Sequence, residues 1–122
     1  MVDFDPMPGR LTTHVLDIAH GRPAGGIEIE LRRAGEDAVV ARATTNADGR
    51  TDEPLLSGAG FLAGGYELTF HVAAYLAAAH PPAVEPAFLT TIPLRFGIAD
   101  ATQPLHVPLL LAPHGYSTYR GS

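Results

Sequence analysis

Along most of this chain, apolar and polar residues alternate with a period of two. That period turns one face of a β-strand inward and leaves the other wet. The cleanest stretch sets Ile27, Ile29 and Leu31 against Glu28, Glu30 and Arg32. Tyr66, Leu68, Phe70 and Val72 alternate with Glu67, Thr69 and His71 in the same way. Residues 11–18 are rich in β-branched side chains and stop at a turn cluster, residues 21–26. Residues 37–45 read as a further strand, closed by Asn46-Ala-Asp-Gly49, a strong turn signal. The pattern also predicts a short strand over 51–56, a Gly-rich loop over 57–65, and strands over 88–98, 105–111 and 115–120. Pro93 lacks a backbone donor, so the strand that holds it belongs at a sheet edge or carries an irregularity. One segment breaks the alternation. Ala73-Ala-Tyr-Leu-Ala-Ala-Ala79 is made of strong helix formers, and His80-Pro-Pro82 stops it after about two turns. Seven or eight short strands with a single helix predict a β-sandwich, because a parallel βαβ sheet would need more crossover helices.

Composition narrows this picture. A chain of 122 residues is one domain, and its hydrophobic fraction of 46% supplies a core. Its 13 Gly and 11 Pro suit a protein of many turns rather than a helical bundle. Cysteine is absent, which removes disulfides, thiolate metal sites and a thiol nucleophile. All eight basic residues are Arg, so no lysine can form a Schiff base. A net charge of −5 argues against a nucleic-acid partner. The longest apolar run, residues 72–79, is far short of the ~20 residues a membrane helix needs. Residues 1–10 show no periodicity and no apolar leader; they read as a flexible N-terminal arm before a domain over 11–122, with a cytoplasmic protein as the expectation, while the acidic, Ala-rich, Lys-free composition points to a bacterial one.

None of the common hydrolase or nucleotide-binding motifs is present, so candidate chemistry rests on six histidines. His106 falls on the outer face of its strand, because Leu105, Val107, Leu109 and Leu111 form the inner one. That outer face also carries Leu110, the mark of a surface that meets another subunit. His14 sits similarly, sharing a face with Thr12, Leu16 and Ile18. By alternation alone, a satisfied interface or core histidine explains each of them better than a functional one. His20 and His114 fall in turns, His80 at the helix end and His71 on a wet strand face, all readings that need no function. Histidines can bind zinc in principle, but no two stand at His-x-His or His-x-x-x-His spacing, so spacing marks no metal site. Arg50 follows the Asp-Gly turn, and the chain ends in an aromatic, strand-like run rather than a nondescript tail.

Taken together, Leu11-Thr-Thr-His-Val-Leu-Asp17, Gly21-Arg-Pro23, Gly49-Arg-Thr-Asp52, His106-Val-Pro-Leu-Leu110 and the terminal Tyr119-Arg-Gly-Ser122 resemble the 5-hydroxyisourate hydrolase family, transthyretin-like enzymes of purine catabolism. The resemblance covers residues 11–122, and the terminal tetrapeptide is its most specific piece. Pro104-Leu105 departs from the polar or aromatic pair usual before the histidine. The resemblance implies a transthyretin-like β-sandwich of two four-stranded sheets with one short helix. It implies a homotetramer, a dimer of dimers, with sites between the dimers. The implied reaction is hydrolysis of 5-hydroxyisourate to 2-oxo-4-hydroxy-4-carboxy-5-ureidoimidazoline, with no cofactor and no metal. His14, Arg50 and His106 would be catalytic; Tyr119, Arg120, Gly121 and Ser122 would bind substrate. Two rivals share the fold: a tetramer that holds a small aromatic ligand without turning it over, and a sandwich used only for protein contacts.

Overall fold

The computed structural model describes residues 9–121. The expected arm, up to residue 8, and Ser122 lie outside the described residues. Nine strands and one helix follow in order: β1 (Arg10–Asp17), β2 (Arg22–Pro23), β3 (Glu28–Arg33), β4 (Val39–Thr44), β5 (Leu56–Ser57), β6 (Gly64–His71), α1 (Ala73–Ala79), β7 (Thr91–Ile98), β8 (Leu105–Ala112) and β9 (Gly115–Thr118). One sheet has the order β2-β1-β8-β9, with the two-residue β5 pairing on β1; the other has the order β4-β3-β6-β7. The neighbours are antiparallel except β1 and β8, which run parallel from Leu11 beside Leu105 to Asp17 beside Leu111.

The sheets bury their inner faces against each other. Leu11, Val15, Val107, Leu109 and Leu111 come from one; Ile29, Leu31, Leu68, Phe70 and Ile92 from the other. Each such side chain contributes about 1.5–3 kcal/mol when fully buried. Pairing between β1 and β8 is thereby fixed, since a slip of one residue would turn every outer side chain inward. Helix α1 spans the predicted residues and buries Leu76. Pro93 lies in β7, an edge strand, as its missing donor requires.

Three expectations are corrected. Residues 51–55 form no strand, and only Leu56 and Ser57 pair, because Leu55 and Leu56 are the only large apolar residues there and cannot sustain an alternation. Residues 88–90 precede β7 rather than opening it, with Phe88 72% exposed and so giving the sheet no inward anchor. Arg10, assigned to the arm, already pairs with Ser57.

Candidate active site

The parallel register of β1 and β8 sets the site. It places Thr12 beside His106 and His14 beside Pro108, all on the outer face. The His14 and His106 rings stand 6.4 Å apart between centroids, inclined at 39°. Residues 92 positions apart in sequence become neighbours because alternation had already put both on the same face.

The turn after β4 delivers Arg50. Asn46 Oδ1 accepts from the Asp48 and Arg50 amides at 2.9 and 3.2 Å, and the Asn46 amide donates to the Arg50 carbonyl at 2.7 Å. The turn docks on β1 through a Val15 amide bond to the Gly49 carbonyl, 2.8 Å, so that His14 and Arg50 lie opposite each other. Gly49 has φ +76°, and a Cβ there would collide with the Val15 carbonyl oxygen. Only glycine meets both demands.

The chain end closes the other side. After β9 it returns over His106, where the Gly121 amide donates to the His106 carbonyl at 2.8 Å. A Cβ at Gly121 would stand 2.5 Å from His106 Cδ2, so glycine is required for this approach as well. The result is an open groove of about 510 Å³, lined among others by Thr12, His14, Arg50, His106, Tyr119 and Gly121.

Both histidines are biased towards the neutral form. Burial pushes the His14 pKa down, the Arg50 charge adds to this, and the Asp48 carbonyl and carboxylate oppose it only partly. Burial likewise lowers His106, helped by Arg50 and by His14, against a smaller upward pull from the Thr12 backbone. The Thr12 hydroxyl lies 2.8 Å from His106 Nδ1. That nitrogen is therefore occupied, and Nε2 is left for a ligand. Two neutral imidazoles beside a fixed guanidinium can take a proton from water and stabilise an oxyanion.

Five of the predicted residues thus come together: His14, Arg50, His106, Tyr119 and Gly121. Arg120 does not. Its side chain lines a separate cavity with Gly97, Ile98 and Asp100, because successive residues of an extended segment project to opposite sides. Ser122 lies outside the described residues. Thr12 was missed, although its position two residues before His14 puts it on the same face. Among the described residues, the one grouping of three metal-competent side chains lies elsewhere, at Asp17, His20 and His80.

A family model described as "HIUase/Transthyretin family" matches residues 11–121. The chain is 59% identical to 5-hydroxyisourate hydrolase 2 of Rhizobium meliloti (strain 1021) over 116 residues, 93% of this chain and 97% of that relative. The solved 5-hydroxyisourate hydrolase of Klebsiella pneumoniae superposes with a TM-score of 0.77 at 39% identity, covering 93% of this chain and 99% of that one. The crystal structure of an (S)-allantoin synthase gives a TM-score of 0.86 at 44% identity; it is matched over 93% of this chain, which spans only 44% of the synthase chain.

Proposed function

The chain belongs to the HIUase/Transthyretin family, and we propose that it hydrolyses 5-hydroxyisourate in purine catabolism, with its groove as the active site. The observation that carries this reading is the meeting of His14, His106 and Arg50 in one groove, with the chain end lying over His106.

In the proposed mechanism, water binds between the two imidazoles. His106 takes its proton at Nε2, since Thr12 occupies Nδ1. The hydroxide adds to a ring carbonyl of the substrate, and Arg50 receives the oxyanion with its planar fork of donors. The carbon–nitrogen bond then breaks. The proton held by His106 passes to the departing ring nitrogen, and the carboxylic acid formed on the opened ureidoimidazoline gives its proton up to solvent. His14 orients the water, and Tyr119 and Gly121 shape the groove around the flat ring. Ser122, next in sequence after Gly121, belongs to the same proposed substrate-binding set. No cofactor enters.

The groove lies on the outer face of a sheet that also carries half-buried Leu16 and Leu110, which supports a homotetramer whose grooves face one another. Among the described residues no helix is long and apolar enough to cross a membrane. The reading assigns the protein to a bacterial cytoplasm.

A coupled ultraviolet assay tests this. Urate oxidase generates 5-hydroxyisourate in the cuvette, and trace protein with a free C-terminus should accelerate decay of the intermediate well above its spontaneous rate. A C-terminal extension should abolish the acceleration with little change in Tm. Unchanged decay with folded, untagged protein would overturn the reading.

A further inference from the structure

Strand β1 carries a second chemical cluster on its inner face, where alternation buries Asp17 completely. Its carboxylate is held from every side. Oδ1 accepts from the Ala19 and His20 amides at 3.1 and 3.0 Å. Oδ2 accepts from the Tyr75 hydroxyl at 2.7 Å and lies 2.8 Å from His80 Nε2. Tyr75 and His80 come from α1 and its C-cap, so two distant segments converge on one buried acid. His20 joins them from the turn after β1. Its ring stacks on His80 at 4.1 Å between centroids and 26° between planes, and its Nε2 lies 2.8 Å from the Ala79 carbonyl.

We propose that Asp17, His20 and His80 form a binding site for a divalent transition-metal ion, Zn²⁺ by ligand chemistry, outside the hydrolytic groove. One donor atom from each residue lies within 4.8 Å of the others, which lets a single ion reach all three. Two imidazole nitrogens and one carboxylate oxygen are a set that suits zinc, with solvent completing the shell. The carboxylate is already oriented, because the two backbone amides on Oδ1 hold it as an outer shell holds a metal ligand. Entry is open. His20 is exposed, while the side chain of His80 retains 15% of its accessible surface and that of Asp17 none. Stacking turns the two rings to the same side. The proton between His80 Nε2 and Asp17 Oδ2 occupies the place of the ion, and His20 leaves the Ala79 carbonyl to complete the set. Metal and proton therefore compete for one position, as in metal sites generally. The bound ion ties the β1–β2 turn to the end of α1.

The test uses the whole chain, freed of metal with a chelator and titrated calorimetrically with Zn²⁺ at pH 7.5. Co²⁺ serves as a visible-absorbance probe of the ligand set. Wild-type protein and His106→Asn should each bind one ion per chain at this site, with a rise in Tm. His20→Ala keeps the backbone bond to Asp17 and so remains folded; it should bind at least tenfold more weakly and lose the Tm rise. His80→Gln should behave alike, with hydrolysis of 5-hydroxyisourate unchanged in both. Failure of wild-type protein to bind Zn²⁺ would overturn the proposal. So would wild-type affinity in His20→Ala, including the case in which only His106→Asn loses the ion. The binding and Tm outcomes stand or fall independently of the hydrolase reading.

Discussion

Strand β1 carries two histidine-centred clusters, one on each face, and they are built on opposite principles. On the outer face, His14 and His106 stand beside a guanidinium, and Asp48 offsets it only partly at His14; burial and Arg50 hold both below the ordinary histidine pKa. On the inner face, His80 meets a buried carboxylate. Burial alone would raise the Asp17 pKa, but hydrogen bonds from Tyr75, the His20 amide and His80 outweigh it and hold the acid ionised. The first cluster leaves proton-accepting capacity unspent, while the second has every donor matched to an acceptor. Unspent capacity is what chemistry requires, and matched capacity is what holds a fold together.

The largest expected effect falls on the outer cluster. His106→Asn should lower kcat by about 10²–10⁴-fold, the usual cost of removing a general base, with little change in Tm. Asp17→Ala should do the reverse. It strands the Tyr75, His80 and backbone donors in a buried place, at a cost of at least about 3 kcal/mol in stability by chemical denaturation. Groove geometry should survive in whatever fraction stays folded, so turnover per folded molecule should hold.

A smaller effect separates positioning from chemistry. Thr12→Val keeps the shape but removes the oxygen 2.8 Å from His106 Nδ1. Turnover should fall about fivefold, the equivalent of one hydrogen bond of about 1 kcal/mol, with KM unchanged. Thr12→Ser should restore it. Unaltered kcat in Thr12→Val would show that the hydroxyl does not hold the ring.

The subtlest prediction concerns pH. Since both groove histidines have lowered pKa values, the acid limb of kcat/KM should lie below about 6.5, the ordinary histidine value. Unfolded chains bind those two protons more readily, so the groove costs the fold stability as pH falls below about 6.5. Asp17, whose pKa is also lowered, acts in the same direction in a more acidic window: its stabilisation is present above about 3.9 and is lost as pH falls further. Replacing Arg50 by Gln removes a charge that lowers both imidazoles, and NMR titration should find both pKa values raised.

Much of this was legible in the sequence, for physical reasons that also mark where legibility ends. Strand β3 and helix α1 announce themselves through local periodicity and propensity, and the structure keeps both nearly to the residue. Alternation alone placed His14 and His106 on outer faces, and the Asp-Gly turn exposed Arg50. It could not pair β1 with β8, because parallel register is decided by long-range packing. The terminal run carried a resemblance strong enough to name Tyr119 and Gly121, yet period-two geometry sends Arg120 the other way. The inner cluster stayed hidden for a different reason. Asp17 and His80 lie 63 positions apart, and a helix-end histidine next to prolines looks like a cap until the fold brings an acid to it.

The most direct measurement compares two variants side by side, His106→Asn from the outer face and His80→Gln from the inner one, each assayed for 5-hydroxyisourate turnover and for Tm. The account predicts that His106→Asn loses turnover and keeps its Tm, whereas His80→Gln keeps turnover and melts earlier. Wild-type turnover in a folded His106→Asn protein would contradict it, because the groove would then do its work without the base assigned to it.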